Sequence, residues 1–137
     1  MEVGRSVLGE YQRAAALRSA LRVFSRRSEQ IAREFGLTPR QYLLLLMIKG
    51  AADGSERSTV TELVERLQLT QSTVTELVAR AEGAGLLTRV PSTEDGRVVW
   101  LHLTPAGEER VAAVVSRHGP ERKRLARLLS ELEPSDE

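Results

Sequence analysis

The stretch Leu69-Thr70-Gln71-Ser72-Thr73-Val74-Thr75-Glu76-Leu77-Val78 decides how this chain reads. It predicts a turn followed by the front half of a helix. Val74, Leu77, Val78 and Ala81 recur at helical spacing and make one apolar stripe. Gln71, Ser72, Thr75, Glu76 and Arg80 fall opposite them, on a polar face whose front end carries no bulky side chain. Such a front end suits a DNA major groove, where Gln, Ser and Thr reach base edges. It suits an ordinary solvated helix equally well, so the flanking sequence has to decide.

Just upstream the same letters occur once more. Ser58-Thr59-Val60-Thr61-Glu62-Leu63-Val64 is identical to Ser72-Thr73-Val74-Thr75-Glu76-Leu77-Val78. The offset of 14 residues is too short for a solenoid unit. It predicts two successive short helices with similar apolar stripes. Thr59 and Glu62 form a capping box for the first, and Thr70 caps the second across the turn Gln68-Leu69-Thr70. Two amphipathic helices joined by so short a turn form a helix-turn-helix. Downstream, Gly83-Ala84-Gly85 ends the second helix and Leu86 to Val90 is a strand candidate. The turn-forming run Pro91-Ser92-Thr93-Glu94-Asp95-Gly96 leads to the alternating stretch Arg97 to Leu103. Val99, Leu101 and Leu103 share one face of it, and Val98, Trp100 and His102 the other, with Trp100 expected to pack on the core. A helix-turn-helix followed directly by a hairpin is a winged helix.

Long helices are predicted on both sides of this unit. Residues 5–35 lack proline, and Leu17, Leu21, Phe24, Ser28, Ile31 and Phe35 form a seam in alternating steps of four and three. Gly36 ends that helix, and Thr38-Pro39-Arg40-Gln41 starts the next with a cap, an N1 proline and a capping-box glutamine. Tyr42 to Ile48 is apolar nearly all round and predicts a buried helix. Residues 105–132 carry a second four-three rhythm through Val111, Val115, His118, Arg122, Leu125, Leu129 and Leu132. Gly119-Pro120 must break or kink that helix, because proline in a helix interior costs about 3 kcal/mol. His118 is expected at a subunit seam, and the acidic tail from Glu133 to Glu137 is expected to fray.

Composition narrows the function. The chain has 137 residues, 41% hydrophobic and 28% charged, which fits one domain with a real core. No run of about 18 apolar residues exists, so no membrane partner is expected. The charged N-terminus has no apolar signal segment, which predicts residence in the cytosol. Cysteine is absent, which removes disulfides, thiol nucleophiles and cysteine metal sites. The two histidines, His102 and His118, have no metal-ligand spacing. No nucleophile–base pair and no phosphate loop is visible, so neither catalytic residues nor cofactors are expected. The net charge of +1 is unevenly spread. Residues 1–50 carry nine basic and four acidic groups, giving +5; residues 51–104 carry five and eight, giving −3; the remainder carries six and seven, giving −1. The bulk charge of the middle section therefore opposes DNA, and individual arginines would have to offset it.

With these residues in hand, the chain resembles the MarR-type bacterial transcription regulators. The resemblance rests on Leu37-Thr38-Pro39-Arg40-Gln41-Tyr42, Ser72-Thr73-Val74-Thr75, Gly85-Leu86-Leu87-Thr88-Arg89, Asp95-Gly96-Arg97 and Leu103-Thr104-Pro105-Ala106-Gly107, in that order along nearly the whole chain. It implies a single domain over residues 1–137. The fold would be mainly α with a small β-hairpin wing: a winged helix-turn-helix core over 37–104, plus N- and C-terminal dimerisation helices at 5–35 and 105–132. It implies a homodimer on a pseudo-palindromic double-stranded DNA operator, acting as a repressor in a bacterial or archaeal cytosol. A small anionic or phenolic effector would release the DNA. Carried over position by position, Gln71, Ser72, Thr73 and Thr75 enter the major groove, and Arg97 reaches the minor groove with Asp95 orienting it. Glu76 and Arg80 belong to the same helix. Glu76 stands where the family often has a basic residue, Ala84 replaces a frequent Lys or Arg, and the C-terminal part is short. These departures predict modest, salt-sensitive binding.

Each assignment has a plainer competitor. Arg97 could form only an exposed ion pair with Asp95, and Thr73 could cap or face sideways. Arg80 and Arg89 suit phosphate or solvent, and Arg40 suits the DNA backbone or packing beside Glu34. Arg18, Arg22 and Arg26 read as a solvated line, with an anion site as the sharper reading. Tyr11 and Tyr42 could line an effector pocket, but no ligand-binding residue is assigned. Against a DNA-binding regulator stands a winged-helix adaptor that binds other proteins, favoured by Glu76 and the −3 of the middle section.

Overall fold

The computed structural model describes the backbone of residues 2–132 and the side chains of residues 9–132; the expected fraying of Glu133 to Glu137 lies outside them. Among the described residues six helices and three short strands follow one another as α1 (Glu2–Glu34), α2 (Pro39–Lys49), β1 (Arg57–Ser58), α3 (Val60–Leu67), α4 (Gln71–Gly83), β2 (Leu87–Pro91), β3 (Val99–Leu103), α5 (Pro105–Arg117) and α6 (Gly119–Leu132).

Cap chemistry sets the helix ends. Thr38 accepts from the Gln41 amide while Gln41 Oε1 accepts from the Thr38 amide, closing a capping box at α2. Thr59 and Glu62 repeat the arrangement at α3. Thr70 and Thr104 cap α4 and α5 by accepting from Thr73 N and Gly107 N. Gly36 terminates α1 at φ 77°, where a side chain would be strained. Gly119-Pro120 does divide the C-terminal helix: α5 stops at Arg117, His118 caps it, and Pro120 stands in the first turn of α6, where it needs no donor.

The core gathers where α2 is surrounded. Leu44, Leu45 and Ile48 of α2 are fully buried with Leu63 of α3, Val74 and Val78 of α4, Leu101 of β3 and Val114 of α5. Burial of α2 is not complete all round: Leu43 remains 42% exposed. Lys49 ties the end of α2 to Glu56 and Glu108 at 2.9 and 3.2 Å. Hydrogen bonds first to Glu56 and then to Glu108 raise its pKa.

The sheet has the order β1-β3-β2 and is antiparallel throughout. Arg57 and Ser58 pair with His102 and Leu101, and Leu87 to Pro91 pair with Leu103 to Val99. The sequence reading missed β1, which is a third strand, and set β2 one residue early. It also placed Trp100 in the core. Trp100 is only partly buried, because it stands on the outer sheet face, where the Arg57 guanidinium lies 3.9 Å from its ring centre. The apolar seam of α1 holds at Ile31, but Leu21 is 38% exposed. His118 is buried within its own chain, at 2% exposure, with its ring 4.3 Å from that of Phe24.

Candidate nucleic-acid interface

The turn between α3 and α4 is held by backbone conformation and hydroxyls. Gln68 takes the left-handed conformation, φ 54°, at a position where glycine is usual. Thr70 then starts α4, its hydroxyl accepting from Thr73 N at 3.2 Å and donating to Thr73 Oγ1 at 2.9 Å.

Along α4, Val74, Leu77, Val78 and Ala81 are buried. Gln71, Ser72, Thr75, Glu76, Ala79, Arg80 and Gly83 are exposed. At 100° per residue, Ser72, Glu76 and Gly83 fall near the centre of the outward face, with Thr75 on one flank and Arg80 on the other. Thr73 is half-buried and bonded to Thr70, so it faces sideways. Glu76 is engaged by Arg80, whose Nη2 reaches Glu76 Oε1 one turn back.

The wing is shaped by Ser92 and Asp95. Ser92 Oγ accepts from the Glu94 and Asp95 amides at 3.2 and 3.3 Å, and the Ser92 amide donates to Val98 O at 2.8 Å. Asp95 Oδ1 accepts from the Arg97 amide at 3.0 Å and lies 3.5 Å from Arg97 Nε. Arg97 is 94% exposed at the hairpin tip. Asp95 therefore closes the loop and lies beside the exposed Arg97 side chain. At the wing base, Arg89 Nε meets Glu82 Oε1 at 3.0 Å, joining β2 to the end of α4. Among the described residues Arg40 has no acidic partner; Glu34 lies beside Arg117 instead, at 3.8 Å.

A polar helix face and a cationic wing tip on one small unit suit duplex DNA in shape. The MarR family profile matches residues 35–98, from the end of α1 to the wing. The regulator MgrA of Staphylococcus aureus is 30% identical over 115 residues, covering 77% of this chain and 76% of MgrA. This chain belongs to the MarR family. Its members are transcription regulators, not enzymes.

As a MarR-family chain it superposes on the MarR family transcription regulator SP03579 with a TM-score of 0.74 at 25% identity, covering 98% of this chain and 83% of that one. It shares its fold with a mutant of MepR from Staphylococcus aureus bound to an oligodeoxyribonucleotide (TM-score 0.64, 22% identity, 90% and 84% covered). It spans 67%, 50% and 64% of three further curated relatives from Bacillus subtilis.

Sequence reasoning missed two features of this MarR-family unit. The Arg57–Trp100 stack gave no signal, because a two-residue strand has no periodicity. The role of Ser92 was readable in principle, since Ser, Asp and Gly in one loop favour side-chain-to-amide turns. No cluster of three or more His, Asp or Glu suited to a metal occurs among the described residues, and no described helix is long and apolar enough to cross a membrane. A groove of 230 Å³ between α1 and α6 is walled by Val23, Phe24, Leu125 and Leu128, with Glu121 and Arg124 at its edge.

Proposed function

We propose that this chain acts as a homodimeric repressor that binds a pseudo-palindromic operator. Gln71, Ser72 and Thr75 read base edges from the front of α4. Arg97 enters the minor groove, where narrow tracts concentrate negative potential. Asp95 holds Arg97, and Thr73 supports the turn. The observation that carries this reading is the pairing of an uncluttered polar face on α4 with Arg97 standing 94% exposed at the wing tip.

Dimerisation through α1, α5 and α6 is supported by the apolar surface those helices leave uncovered. Val23 is 67% exposed and Leu129 38%, beside the α1–α6 groove. The family and the oligonucleotide-bound MepR mutant support DNA as the partner. A small anionic or phenolic effector is the proposed release signal.

Selection of bound sequences from random DNA tests the reading. It should return inverted half-sites roughly 10 bp apart, centre to centre. Arg97→Ala should weaken binding by about 5- to 100-fold with the α4 preferences kept. A wild-type protein that enriches no sequence at low salt would favour the adaptor reading, which the −3 charge of residues 51–104 supports.

A further inference from the structure

Glu76 is the awkward residue on the proposed reading face. It sits near the centre of the outward side of α4, where a bare carboxylate would repel phosphate. It is not bare. Arg80 Nη2 bonds to its Oε1, although both side chains are well exposed, at 70% and 62%. Helical side chains lean toward the N-terminus, so this contact carries the guanidinium one turn back, over the base-reading half of the helix. The result is an acceptor and a row of donors side by side. Glu76 Oε2 has no protein partner among the described residues, and the guanidinium keeps N–H donors beyond the one given to Glu76. The neighbours leave room for approach: Ala79 is small, and a Cβ added at Gly83 would meet nothing within 4 Å.

One base-pair edge complements that pattern best. Across the major groove a C·G pair offers a donor at cytosine N4, then acceptors at guanine O6 and N7. The carboxylate accepts from N4 while the guanidinium donates to O6 and N7. A T·A pair sets thymine O4 against the carboxylate, acceptor against acceptor. A G·C pair in reverse orientation sets O6 there, and an A·T pair, which does present adenine N6 to the carboxylate and thymine O4 to the guanidinium, puts a methyl group where guanine offers N7.

We propose that Glu76 and Arg80 act as one composite reader of a single C·G base pair in each half-site. The proposal rests on the DNA-binding reading above. It makes Glu76 a specificity residue, with its charge neutralised by the partner it positions.

The test uses the full chain. Sequences bound by wild type, Glu76→Gln, Arg80→Ala and the double variant are selected from random DNA. Affinities are then measured on four duplexes differing only at the assigned pair, at one salt concentration. Helical circular dichroism confirms that each variant is folded. Wild type should prefer C·G by about 5- to 100-fold over the other three pairs. Each single variant should lose that preference at the same base pair, and the double variant should lose no more than either. Affinity alone is a poor readout, since removing a negative charge strengthens binding to any DNA. If wild type selects an operator and Glu76→Gln selects the same one with equal discrimination, the composite reader is wrong and the DNA-binding reading stands. The composite reader is equally wrong if the two single variants alter different base pairs. If wild type selects no sequence at all, both fall.

Discussion

Gly107 offers the sharpest test of how the wing is attached to the terminal helices. It lies in the first turn of α5, where the helix runs onto the backbone that enters β2. A Cβ built there would collide with the Leu86 carbonyl oxygen and lie 3.1 Å from its carbonyl carbon. Both are main-chain atoms, so no rotamer change relieves the overlap. α5 would have to lift off β2. That lift strains two hydrogen bonds spanning the junction, Thr104 N to Leu86 O at 3.0 Å and Thr104 Oγ1 to Gly85 O at 2.6 Å. Overpacking of this kind costs about 1–3 kcal/mol. Weakening the two bonds adds about 1–2 kcal/mol. Alanine's helix propensity returns at most about 1 kcal/mol. Gly107→Ala should therefore destabilise the protein by about 1–4 kcal/mol. At an unfolding entropy of about 2.1 cal/mol/K per residue, that lowers the melting temperature of a chain this size by about 3–14 °C. Thermal denaturation followed by circular dichroism measures it, at one fixed protein concentration because subunit association shifts the midpoint. Gly83→Ala is the matched control. Its added Cβ meets nothing within 4 Å, so propensity acts alone and the variant should melt at or slightly above wild type. A Gly107→Ala variant that also melts at or above wild type would refute this account of the junction.

Two further perturbations probe the ends of the helices. Burial lowers the pKa of His118 from its ordinary 6.5, with the Arg122 and Arg27 charges adding to the effect and Glu121 opposing it. The unfolded chain then binds this proton more readily than the folded one, so stability falls as pH drops below about 6.5. Urea midpoints taken between about pH 7.5 and 5.5 should fall for wild type and stay flatter for His118→Gln; parallel profiles would contradict the assignment. The Glu121 carboxyl is held low by a backbone amide and then by Arg27, and its contribution is lost only near and below the ordinary 4.5, outside that window. Thr59→Ala removes the hydroxyl that accepts from Glu62 N, and should cost about 1 kcal/mol in a urea titration, whereas exposed Thr61→Ala should be close to neutral. Equal midpoints for the two variants would show that the capping box contributes nothing measurable.

The repeated heptapeptide shows why some of this fold was legible and some was not. Caps are local chemistry, and Thr38, Thr59 and Thr70 each act where the sequence indicates. Yet the seven identical residues do not repeat the same structure. Ser58 is a strand residue paired with Leu101, Thr59 is a cap, and Val60 begins α3. Their counterparts Ser72, Thr73 and Val74 are all inside α4, because Thr70 has already capped that helix. What differs is outside the repeat. Arg57 finds a partner strand in β3, and no window of residues 51–60 could reveal that. Trp100 and His118 were misplaced for the same reason. Their surroundings are made by Arg57 and by Phe24, distant in sequence. At the candidate interface the outward face of α4 was readable from its period, and the Glu76–Arg80 pair was equally readable from its i, i+4 spacing although the sequence reading missed it.

That pair belongs to a wider pattern which changes the meaning of the charge count. On the winged unit Arg80 lies beside Glu76, Arg89 beside Glu82, and Arg97 beside Asp95. A deficit of −3 over residues 51–104 looks like a surface unfit for DNA. Those three pairs sum to zero, and the −3 comes from Asp53, Glu56, Glu62, Glu65 and Glu94 against Arg57 and Arg66, so the arginines Arg80, Arg89 and Arg97 are each already neutralised at close range. Exposed pairs of this kind hold by roughly 1 kcal/mol or less, so at Arg89 and Arg97 a well-placed phosphate can take over the guanidinium, while Arg80 can offer its remaining N–H donors to a guanine without leaving Glu76. A poorly placed phosphate gains little, because it must first displace a carboxylate. Non-specific attraction, which depends on summed charge, is suppressed more than specific contact, which depends on geometry. On the proposed interface the acidic residues thus lower total affinity while widening the gap between the right sequence and the wrong one.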